Sequence, residues 1–374
     1  MRFWMVGGGT AGHVYPALAI AQALPRVAAD APSGAPELTW VGTLDGMEGD
    51  LIRRAGIRFV GIPGGGLHGV ALLNAVRNGW ELTRAIFVAR RLMREERPAA
   101  ILATGGFVSG PVALAARLER VPLMVYVPDV EPARSVKVIA RLARQVAVSV
   151  GDSLDFFPQG KAVVTGYPLG ERVTRWTRDA GREALGLDVQ APVLLVFGGS
   201  RGARSINRAV MAHLETLTTM AHVVHISGTL DWPEVEAARA ALPEAVQARY
   251  LAFPYLNERM GAAMAAADLV VSRSGASVLG EFPYFGLPAI LVPYPYAWRY
   301  QRVNAGWLAD RGAAVVVEDA DLAGMLVDAV RELLSDGARR EQMAEAARGL
   351  AHRDAAQRAA ELLVEMGAGL PQAG

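Results

Sequence analysis

A repeated pattern constrains the fold of this chain most: short apolar runs of strand length alternate with helix-length segments, and several of the runs end in glycine-rich loops. In the first half, apolar runs with the length of buried strands occur at residues 3–6, 38–41, 99–103, 123–127 and 145–150. Helical patterns separate them at residues 16–24, 47–55, 82–94 and 111–117. Strands that alternate with helices predict an α/β fold with a parallel sheet covered on both faces.

The pattern starts again in the second half. Further strand-like runs occur at residues 192–197, 222–226, 250–253, 269–272, 289–292 and 314–317. The 374 residues, of which 52% are hydrophobic, are enough for two cores. Gly166 and Pro168, residues that favour turns, mark the boundary between the two halves. The sequence therefore predicts two similar Rossmann-like domains, residues 1–165 and 166–344.

Composition excludes several other classes of protein. The net charge of +1 provides no global field that would attract nucleic acid, so no nucleic-acid partner is expected. The absence of cysteine excludes disulfides and thiolate metal sites and fits a reducing cytoplasm. Because the sequence contains no uninterrupted apolar run of about 18 residues, no membrane span is expected, although attachment to a membrane surface stays open.

The first glycine-rich loop, GGGTAGH at residues 7–13, follows the first strand directly. Glycines allow close backbone approach, and the N-terminus of the next helix presents N–H groups to an anion. Gly7, Gly9 and Gly12 also match the dinucleotide pattern G-x-G-x-x-G. That function requires an acidic residue at the end of the second strand, where this chain has Val41, Gly42 and Thr43. A dehydrogenase is therefore disfavoured.

Three more glycine-rich loops follow predicted strands. They are TGGFVSGP at residues 104–111, GGSRGAR at 198–204 and SRSGAS at 272–277. A single loop of this kind is usually a tight turn. Four of them at the carboxyl ends of strands indicate ligand binding, because open α/β sheets bind ligands at that edge. A cleft between two such halves would suit a nucleotide diphosphate on one side and an acceptor on the other.

The loops and several later positions resemble glycosyltransferase family 28, and within it the N-acetylglucosaminyltransferases of peptidoglycan synthesis. The resemblance covers nearly the whole chain. Its matching positions are residues 8–16, 42–43, 47–48, 105–111, 198–203, 267–268, 272–276, 281, 286–288, 292–293, 301 and 304–305.

The resemblance implies a GT-B fold, in which two Rossmann-like domains face each other across a cleft. Residues 1–165 would bind the acceptor and residues 166–344 the UDP-sugar, while a helix at about 345–366 would pack back on the first domain. The implied reaction is an inverting displacement on UDP-N-acetylglucosamine by the 4-hydroxyl of an undecaprenyl-linked muramyl-pentapeptide. No metal or other cofactor is implied. The enzyme would lie at the cytoplasmic face of the cell membrane, held peripherally by an anionic membrane surface.

The resemblance also implies a role for individual residues. His13 would be the general base, Leu256 would hold the uracil through its backbone, and Gln301 would bind the donor sugar. Thr10, Ala11 and Gly12 would lie beside the sugar and pyrophosphate, and Ser200 would contact the diphosphate. Six consecutive residues would lie along the bound nucleotide: Ala276, Ser277, Val278, Leu279, Gly280 and Glu281. Of these, Glu281 would contact the ribose hydroxyls.

The chemistry of imidazole suits the role given to His13. A neutral imidazole with a pKa near 6.5 can take a hydroxyl proton at neutral pH. A helix N-terminus disfavours its cationic form. The alternative is that His13 hydrogen-bonds a phosphate or caps the helix.

The chain departs from the family pattern at several positions. Ala11 replaces a usual glycine, and VPDV at residues 127–130 replaces the acceptor-side segment His-Glu-Gln-Asn. Gly170 stands where an arginine is usual, and Arg172 could substitute for it. These changes keep three alternatives open: a different glycolipid acceptor, a non-catalytic UDP-sugar-binding protein, and an epimerase.

Two other patterns have a functional and an ordinary interpretation. Residues 72–94 mix apolar side chains with arginines, which fits either docking on anionic lipid or an amphipathic helix packed on a core. Asp319 and Asp321 form a D-x-D pattern, for which helix capping is expected rather than a metal site. His222 and His225 are three residues apart on a predicted strand, so they are expected to face opposite sides.

Overall fold

The structure is a computed structural model that describes residues 1–8, 11–29, 34–44, 48–63, 72–199, 202–296 and 299–369. The side chains of residues 11 and 72–79 lie outside this description. The chain divides into two compact units. Unit 1 comprises Met1–Gly170 and Asp354–Gly374, and unit 2 comprises Glu171–Arg353.

The described residues contain two parallel sheets and the helices that cover them. The strands are β1 Arg2–Val6, β2 Glu37–Thr43, β3 Arg58–Ile62, β4 Ala100–Ala103, β5 Leu123–Val127, β6 Gln145–Val148, β7 Ala162–Val164, β8 Val193–Phe197, β9 His222–Ile226, β10 Tyr250–Phe253, β11 Leu269–Ser272, β12 Ala289–Leu291 and β13 Ala314–Val316.

The helices are α1 Ala11–Val27, α2 Glu48–Arg54, α3 Leu72–Glu96, α4 Ser109–Glu119, α5 Arg134–Leu142, α6 Glu171–Thr174, α7 Arg178–Leu185, α8 Arg204–Met211, α9 Leu214–Met220, α10 Trp232–Ala240, α11 Glu244–Gln247, α12 Met260–Ala266, α13 Val278–Phe285, α14 Tyr300–Ala309, α15 Leu322–Ser335, α16 Gly337–Gly349 and α17 Ala355–Ala368. None of the helices in the described part of the chain combines the length and the apolar character needed to cross a bilayer.

The sheet of unit 1 has the strand order β3-β2-β1-β4-β5-β6-β7, with parallel pairing throughout. Helices α3, α4 and α5 pack on one face of this sheet, and α1 and α17 pack on the other. The central strands are continuously apolar because helices cover both faces. Burial of each large side chain here, such as Trp4 or Met5, stabilises the fold by about 1.5–3 kcal/mol.

The C-terminal segment divides between the two units. The helix predicted at about 345–366 is interrupted in the structure: α16 ends at Gly349 in unit 2, and α17 begins at Ala355 in unit 1. Helix α17 packs on α1 and buries Ala359 and Leu363 in the core of unit 1.

The sheet of unit 2 has the order β10-β9-β8-β11-β12-β13 and is also parallel. The strand order reverses between β1 and β4 in unit 1 and between β8 and β11 in unit 2. The four glycine-rich loops follow these four strands. Each unit therefore carries its two loops at the switch point where α/β sheets bind ligands.

Candidate active site

The loop after β1 leads into a helix that starts earlier than predicted. The sequence pattern placed the helix at residues 16–24, which is wrong, because α1 begins at Ala11. Pro16 has no backbone N–H, so the helical hydrogen bond to the Gly12 carbonyl is missing. The helix tolerates this loss near its start. Consequently Gly12 and His13 lie in the first turn of α1, and both are partly buried.

The orientation of His13 fixes the role of each ring nitrogen. Nδ1 lies 3.3 Å from the carbonyl oxygen of Gly8. A carbonyl can only accept a hydrogen bond. In the neutral ring, Nδ1 therefore carries the hydrogen and donates a hydrogen bond to the Gly8 carbonyl. Nε2 is then the unprotonated nitrogen. His13 therefore offers Nε2 as the atom that can accept a proton.

The loop after β4 shapes the space beside this ring. A Cβ added at Gly105 would lie 2.8 Å from both Cδ2 and Nε2 of His13. The φ angle of Gly105 is 126°, which side chains of L-residues rarely adopt. Glycine is thus required at position 105 on both counts, and it lets the imidazole lie against the backbone.

Burial and charge act on the pKa of His13 in opposite directions. Burial disfavours the imidazolium and lowers the pKa below its ordinary value of 6.5. The hydrogen bond to Gly8 and the charge of Asp129 oppose this shift without cancelling it. His13 is therefore mainly neutral at neutral pH, as a general base must be.

The two loops of unit 1 are joined through their backbones. Thr104 Oγ1 donates a hydrogen bond to the His13 carbonyl at 2.7 Å, and Trp40 Nε1 donates to the Gly7 carbonyl at 3.0 Å. A Cβ at Gly106 would lie 2.6 Å from the Gly8 carbonyl oxygen. Side chains in this region would push the loops after β1 and β4 apart.

In unit 2 a buried arginine links the loops at the carboxyl edge of the sheet. Arg273 Nη1 donates to Asp319 Oδ1 at 2.5 Å and to the Val292 carbonyl at 3.2 Å, while Nη2 donates to Ser205 Oγ at 2.7 Å. Its guanidinium also lies 5.3 Å from the centre of the Tyr294 ring. Arg273 thereby connects α8 to the loops after β11, β12 and β13.

This network corrects the expectation for the D-x-D pattern. Asp321 occupies the N-cap position of α15, but its side chain forms no capping hydrogen bond with the described residues. Asp319 instead accepts from Arg273 and Ser205. Neither carboxylate therefore makes the predicted capping hydrogen bond, and Asp319 belongs to the network of Arg273 instead.

A second buried network supports the loop after β8. His225 is fully buried, with Nδ1 2.8 Å from Tyr250 Oη and Nε2 2.9 Å from Asn207 Oδ1. Asn207 donates onward to Asp231 at 2.8 Å, and Asp231 pairs with Arg204 at 2.9 Å. Burial lowers the pKa of His225 to about 4. His225 is therefore neutral and locks α8, which begins directly after the glycine-rich loop.

The amide of Gln301 is oriented by the backbone. The N–H of Tyr294 donates to Oε1 of Gln301 at 2.9 Å, so Nε2 faces the other way as a donor. The Gln301 carbonyl accepts from Ser274 Oγ at 2.7 Å, and Asn304 donates to the Ser274 carbonyl at 3.2 Å. These bonds hold the start of α14 against the loop after β11.

In the segment from Ala276 to Glu281, Ala276 and Ser277 precede α13 and Val278 to Glu281 form its first turn. Val278 and Leu279 are only 2% and 3% exposed, so their side chains belong to the core and only their backbone can meet a ligand. Burial raises the pKa of Glu281, and a hydrogen bond from Ser277 partly opposes this shift. Ala276, Ser277, Gly280 and Glu281 are partly exposed.

Leu256 lies just before a short 3₁₀ helix, Asn257–Arg259. Its side chain is 5% exposed, and its carbonyl accepts the N–H of Arg259 at 2.8 Å. Arg172, the predicted substitute for the arginine missing at position 170, forms an exposed ion pair with Glu258 at 3.3 Å.

The structure places the remaining predicted residues only in part. Thr10 and Ser200 lie outside the described residues, as does the side chain of Ala11. Of the described positions, Gly12 and His13 belong to unit 1. Leu256, Ala276–Glu281 and Gln301 belong to unit 2.

Comparison with known proteins finds two family domains along the chain. Residues 3–148 match the model of the glycosyltransferase family 28 N-terminal domain, and residues 193–359 match that of the glycosyltransferase family 28 C-terminal domain. A crystal structure of MurG from Acinetobacter baumannii is similar with a TM-score of 0.75 and 26% identity, covering 97% of this chain and 99% of that chain.

Two curated relatives are UDP-N-acetylglucosamine–N-acetylmuramyl-(pentapeptide) pyrophosphoryl-undecaprenol N-acetylglucosamine transferases. The protein from Roseiflexus sp. (strain RS-1) is 44% identical, covering 97% of this chain and 94% of the relative. The protein from Desulfitobacterium hafniense (strain Y51) is 38% identical, covering 95% of this chain and 96% of the relative. With two parallel-sheet α/β units and matches of this extent, the chain belongs to glycosyltransferase family 28 and has the GT-B fold.

Proposed function

We propose that this chain transfers N-acetylglucosamine from UDP-N-acetylglucosamine to the 4-hydroxyl of the undecaprenyl-linked muramyl-pentapeptide, a step of peptidoglycan synthesis. The observation that carries the proposal is the 44% identity, along 97% of the chain, to a transferase named for this acceptor. The placing of His13 and of the four glycine-rich loops at the switch points supports it.

His13 is the proposed base in an inverting displacement. As the acceptor oxygen forms a bond to the anomeric carbon, its proton passes to Nε2 of His13. The bond from that carbon to the UDP oxygen breaks, and UDP leaves with the bonding electrons. The bond from Nδ1 to the Gly8 carbonyl keeps Nε2 available. Such a positioned base contributes about 10²–10⁴-fold to the rate.

Unit 2 is the proposed donor-binding unit. The backbone at Leu256 would hold the uracil, Glu281 the ribose hydroxyls, and Nε2 of Gln301 a hydroxyl of the sugar. Backbone N–H groups at the start of α13 and in the loop carrying Ser200 would bind the diphosphate. Arg273 and His225 would keep these loops in place before the donor arrives.

We also propose that unit 1 docks on the anionic cytoplasmic leaflet. Helices α3, α4 and α5 form one layer, and each exposes apolar and cationic side chains away from the sheet. The exposed apolar residues are Trp80, Leu82 and Phe87 on α3, Leu114 and Leu118 on α4, and Val138 on α5. Arg84, Arg117 and Arg141 are exposed beside them. This combination favours a negatively charged membrane surface.

Vesicle binding tests this docking. Phe87→Ser, at a position 65% exposed, is expected to weaken sedimentation with anionic vesicles. Leu230→Ser, at a position 69% exposed in unit 2, is the matched control and should leave it unchanged. Equal binding by both variants and the original chain would refute the proposal.

Transfer of labelled N-acetylglucosamine tests the proposed reaction. The muramyl-pentapeptide lipid should be labelled, with inversion at the anomeric carbon, whereas a diacylglycerol acceptor should not. Labelling of the second acceptor alone would favour a different glycolipid, the alternative to which the altered segment at residues 127–130 points. Conversion of the donor without acceptor would indicate an epimerase, and UDP binding without turnover a non-catalytic protein.

A further inference from the structure

Two tyrosines in the loop after β12 expose their rings at the carboxyl edge of the sheet of unit 2. Tyr294 is 43% exposed and Tyr296 is 84% exposed. We infer that this tyrosine pair packs against the pyranose ring of bound UDP-N-acetylglucosamine and so helps to select the donor sugar. The inference rests on the proposed function, in which Gln301 binds the same sugar, and it assigns two further residues to that site.

The backbone of the loop is bonded directly to the residue proposed to hold the sugar. The N–H of Tyr294 donates to Oε1 of Gln301 at 2.9 Å. Because Oε1 is committed to the loop, the other end of the amide, Nε2, is the one that can donate to a ligand. A sugar hydroxyl held by Nε2 would therefore lie at the loop that carries the tyrosine pair.

The ring of Tyr294 is held in place by a buried cation. The guanidinium of Arg273, which is 9% exposed, lies 5.3 Å from the centre of the ring. Arg273 also donates to the carbonyl oxygens of Val292 at 3.2 Å and Pro293 at 3.4 Å. These two residues directly precede Tyr294 in the chain. Both the backbone and the ring are thus restrained before a ligand arrives, which lowers the entropic cost of binding.

Tyr296 extends the aromatic surface beyond Tyr294. The two ring centres lie 5.6 Å apart and the ring planes meet at 71°, an edge-to-face arrangement. The pair therefore presents its ring surfaces as a corner, which can contact a ligand on two sides. Neither phenol hydroxyl has a hydrogen-bond partner among the residues that the structure describes.

The chemistry of a pyranose matches this surface. The C–H groups of a sugar ring form apolar patches, and its hydroxyls both donate and accept hydrogen bonds. Tyrosine offers an apolar ring together with a hydroxyl that can do the same. A diphosphate would instead require cations or N–H groups, and the cation at this loop, Arg273, is buried and paired with Asp319. The tyrosine pair therefore suits the sugar of the donor rather than its diphosphate.

Calorimetry with two ligands tests the inference in the full chain. In Tyr296→Ala the Kd of UDP-N-acetylglucosamine should rise by about threefold to tenfold, the effect of one aromatic contact, while that of UDP should change by less than about twofold. Val189→Ala, at a position 63% exposed in the segment before β8, is the control and should alter neither. Equal weakening of both ligands would place the ring on the nucleotide, and that result or no weakening of either would overturn the inference.

Two more variants separate the contributions of the pair. Tyr296→Phe keeps the ring and should retain most of the affinity for the sugar nucleotide. Tyr294→Ala removes the ring that supports Tyr296 and should weaken the sugar nucleotide at least as much as Tyr296→Ala. A loss in Tyr296→Phe equal to that in Tyr296→Ala would contradict packing by the ring, and an unchanged Kd in Tyr294→Ala would remove Tyr294 from the site.

Transfer kinetics provide a second measurement. A contact that is equally strong in the ground state and the transition state lowers KM and leaves kcat unchanged. Tyr296→Ala should therefore raise KM for UDP-N-acetylglucosamine, with little change in kcat or in KM for the acceptor lipid. A rise in the acceptor KM alone would place the rings on the acceptor and contradict the inference.

The failures of the two proposals are distinguishable because donor binding is measured without transfer. If the chain transfers sugar while Tyr296→Ala binds both ligands as the original chain does, the inference fails and the proposed function stands. If the chain transfers no sugar to any acceptor but Tyr296→Ala selectively weakens the sugar nucleotide, the proposed function fails and the role of the tyrosine pair stands.

Discussion

The loops at the two switch points are built in different ways. In unit 1, the backbones of Gly8 and Gly106 approach each other, and the imidazole of His13 lies against Gly105. In unit 2, buried polar side chains join the loops, chiefly through Arg273 and His225. The first arrangement leaves room beside a titratable group, whereas the second holds several loops in a fixed relation.

This difference separates the two tasks of a transferase. A base needs a controlled pKa and access to its proton donor, which glycines allow. A nucleotide cradle needs N–H groups that are already aligned, which a buried hydrogen-bond network provides. We therefore expect changes in unit 1 to act mainly on kcat and changes in unit 2 to act mainly on UDP affinity and stability.

The largest expected effect is that of His13→Ala. Removing the base should lower kcat by about 10²–10⁴-fold and change the calorimetric affinity for UDP by much less. His213→Ala, at a partly exposed histidine in unit 2, is the control and should change neither. An equal loss of kcat and UDP affinity in His13→Ala would remove His13 from the base role.

Breaking the network of Arg273 in unit 2 should lower stability and UDP affinity rather than act mainly on kcat. Arg273→Met leaves Asp319 without its cation and should lower the free energy of unfolding by about 3 kcal/mol, with weaker UDP binding. Arg331→Gln removes an exposed pair with Asp328 and should cost less than about 1 kcal/mol. Chemical denaturation and calorimetry measure both quantities, and similar losses in the two variants would contradict the distinction.

The pH dependence of stability sharpens the comparison at His225. Its pKa is about 4 in the folded chain and about 6.5 when unfolded, so the unfolded state binds the extra proton between these values. Stability is therefore fully present above pH 6.5 and should fall by up to about 3 kcal/mol as pH drops to 4. In His225→Gln this part of the pH dependence should disappear, and its persistence would assign it to other groups.

Among the changes aimed at the two switch points, Gly105→Ala is expected to have the smallest effect. The methyl group would meet the ring of His13 at a positive φ, so we expect a loss of about 1–3 kcal/mol together with a lower kcat. Gly151→Ala is the matched control in unit 1, because a Cβ there meets nothing within 4 Å. An unchanged kcat in Gly105→Ala would show that the glycine does not shape the site.

Much of the fold could be predicted from the sequence because the central strands are buried on both faces. Their continuous apolar runs gave the strands next to each switch point, including β1, β4, β8 and β11. The pattern missed β3 and β7, the two edge strands of unit 1, whose partly exposed residues carry no such run. It also placed the start of α1 too late, because Pro16 resembles a first helical residue.

The site was predictable only where its residues are close in sequence. His13 and its glycine-rich loop form one local motif. The partners of Arg273 lie 46 and 68 residues away at Asp319 and Ser205, and those of His225 lie 18 and 25 residues away. Such pairs form only after the strands align, so no local pattern predicted either network.

The central claim is that neutral His13 takes the acceptor proton, and the pH dependence of kcat for sugar transfer tests it most directly. Because burial lowers the pKa of His13, kcat should stay level through neutral pH and fall along an acidic limb whose midpoint lies below 6.5. His13→Gln should lose that limb together with most of its activity. A midpoint above 6.5, or the same limb in the residual activity of His13→Gln, would contradict the account.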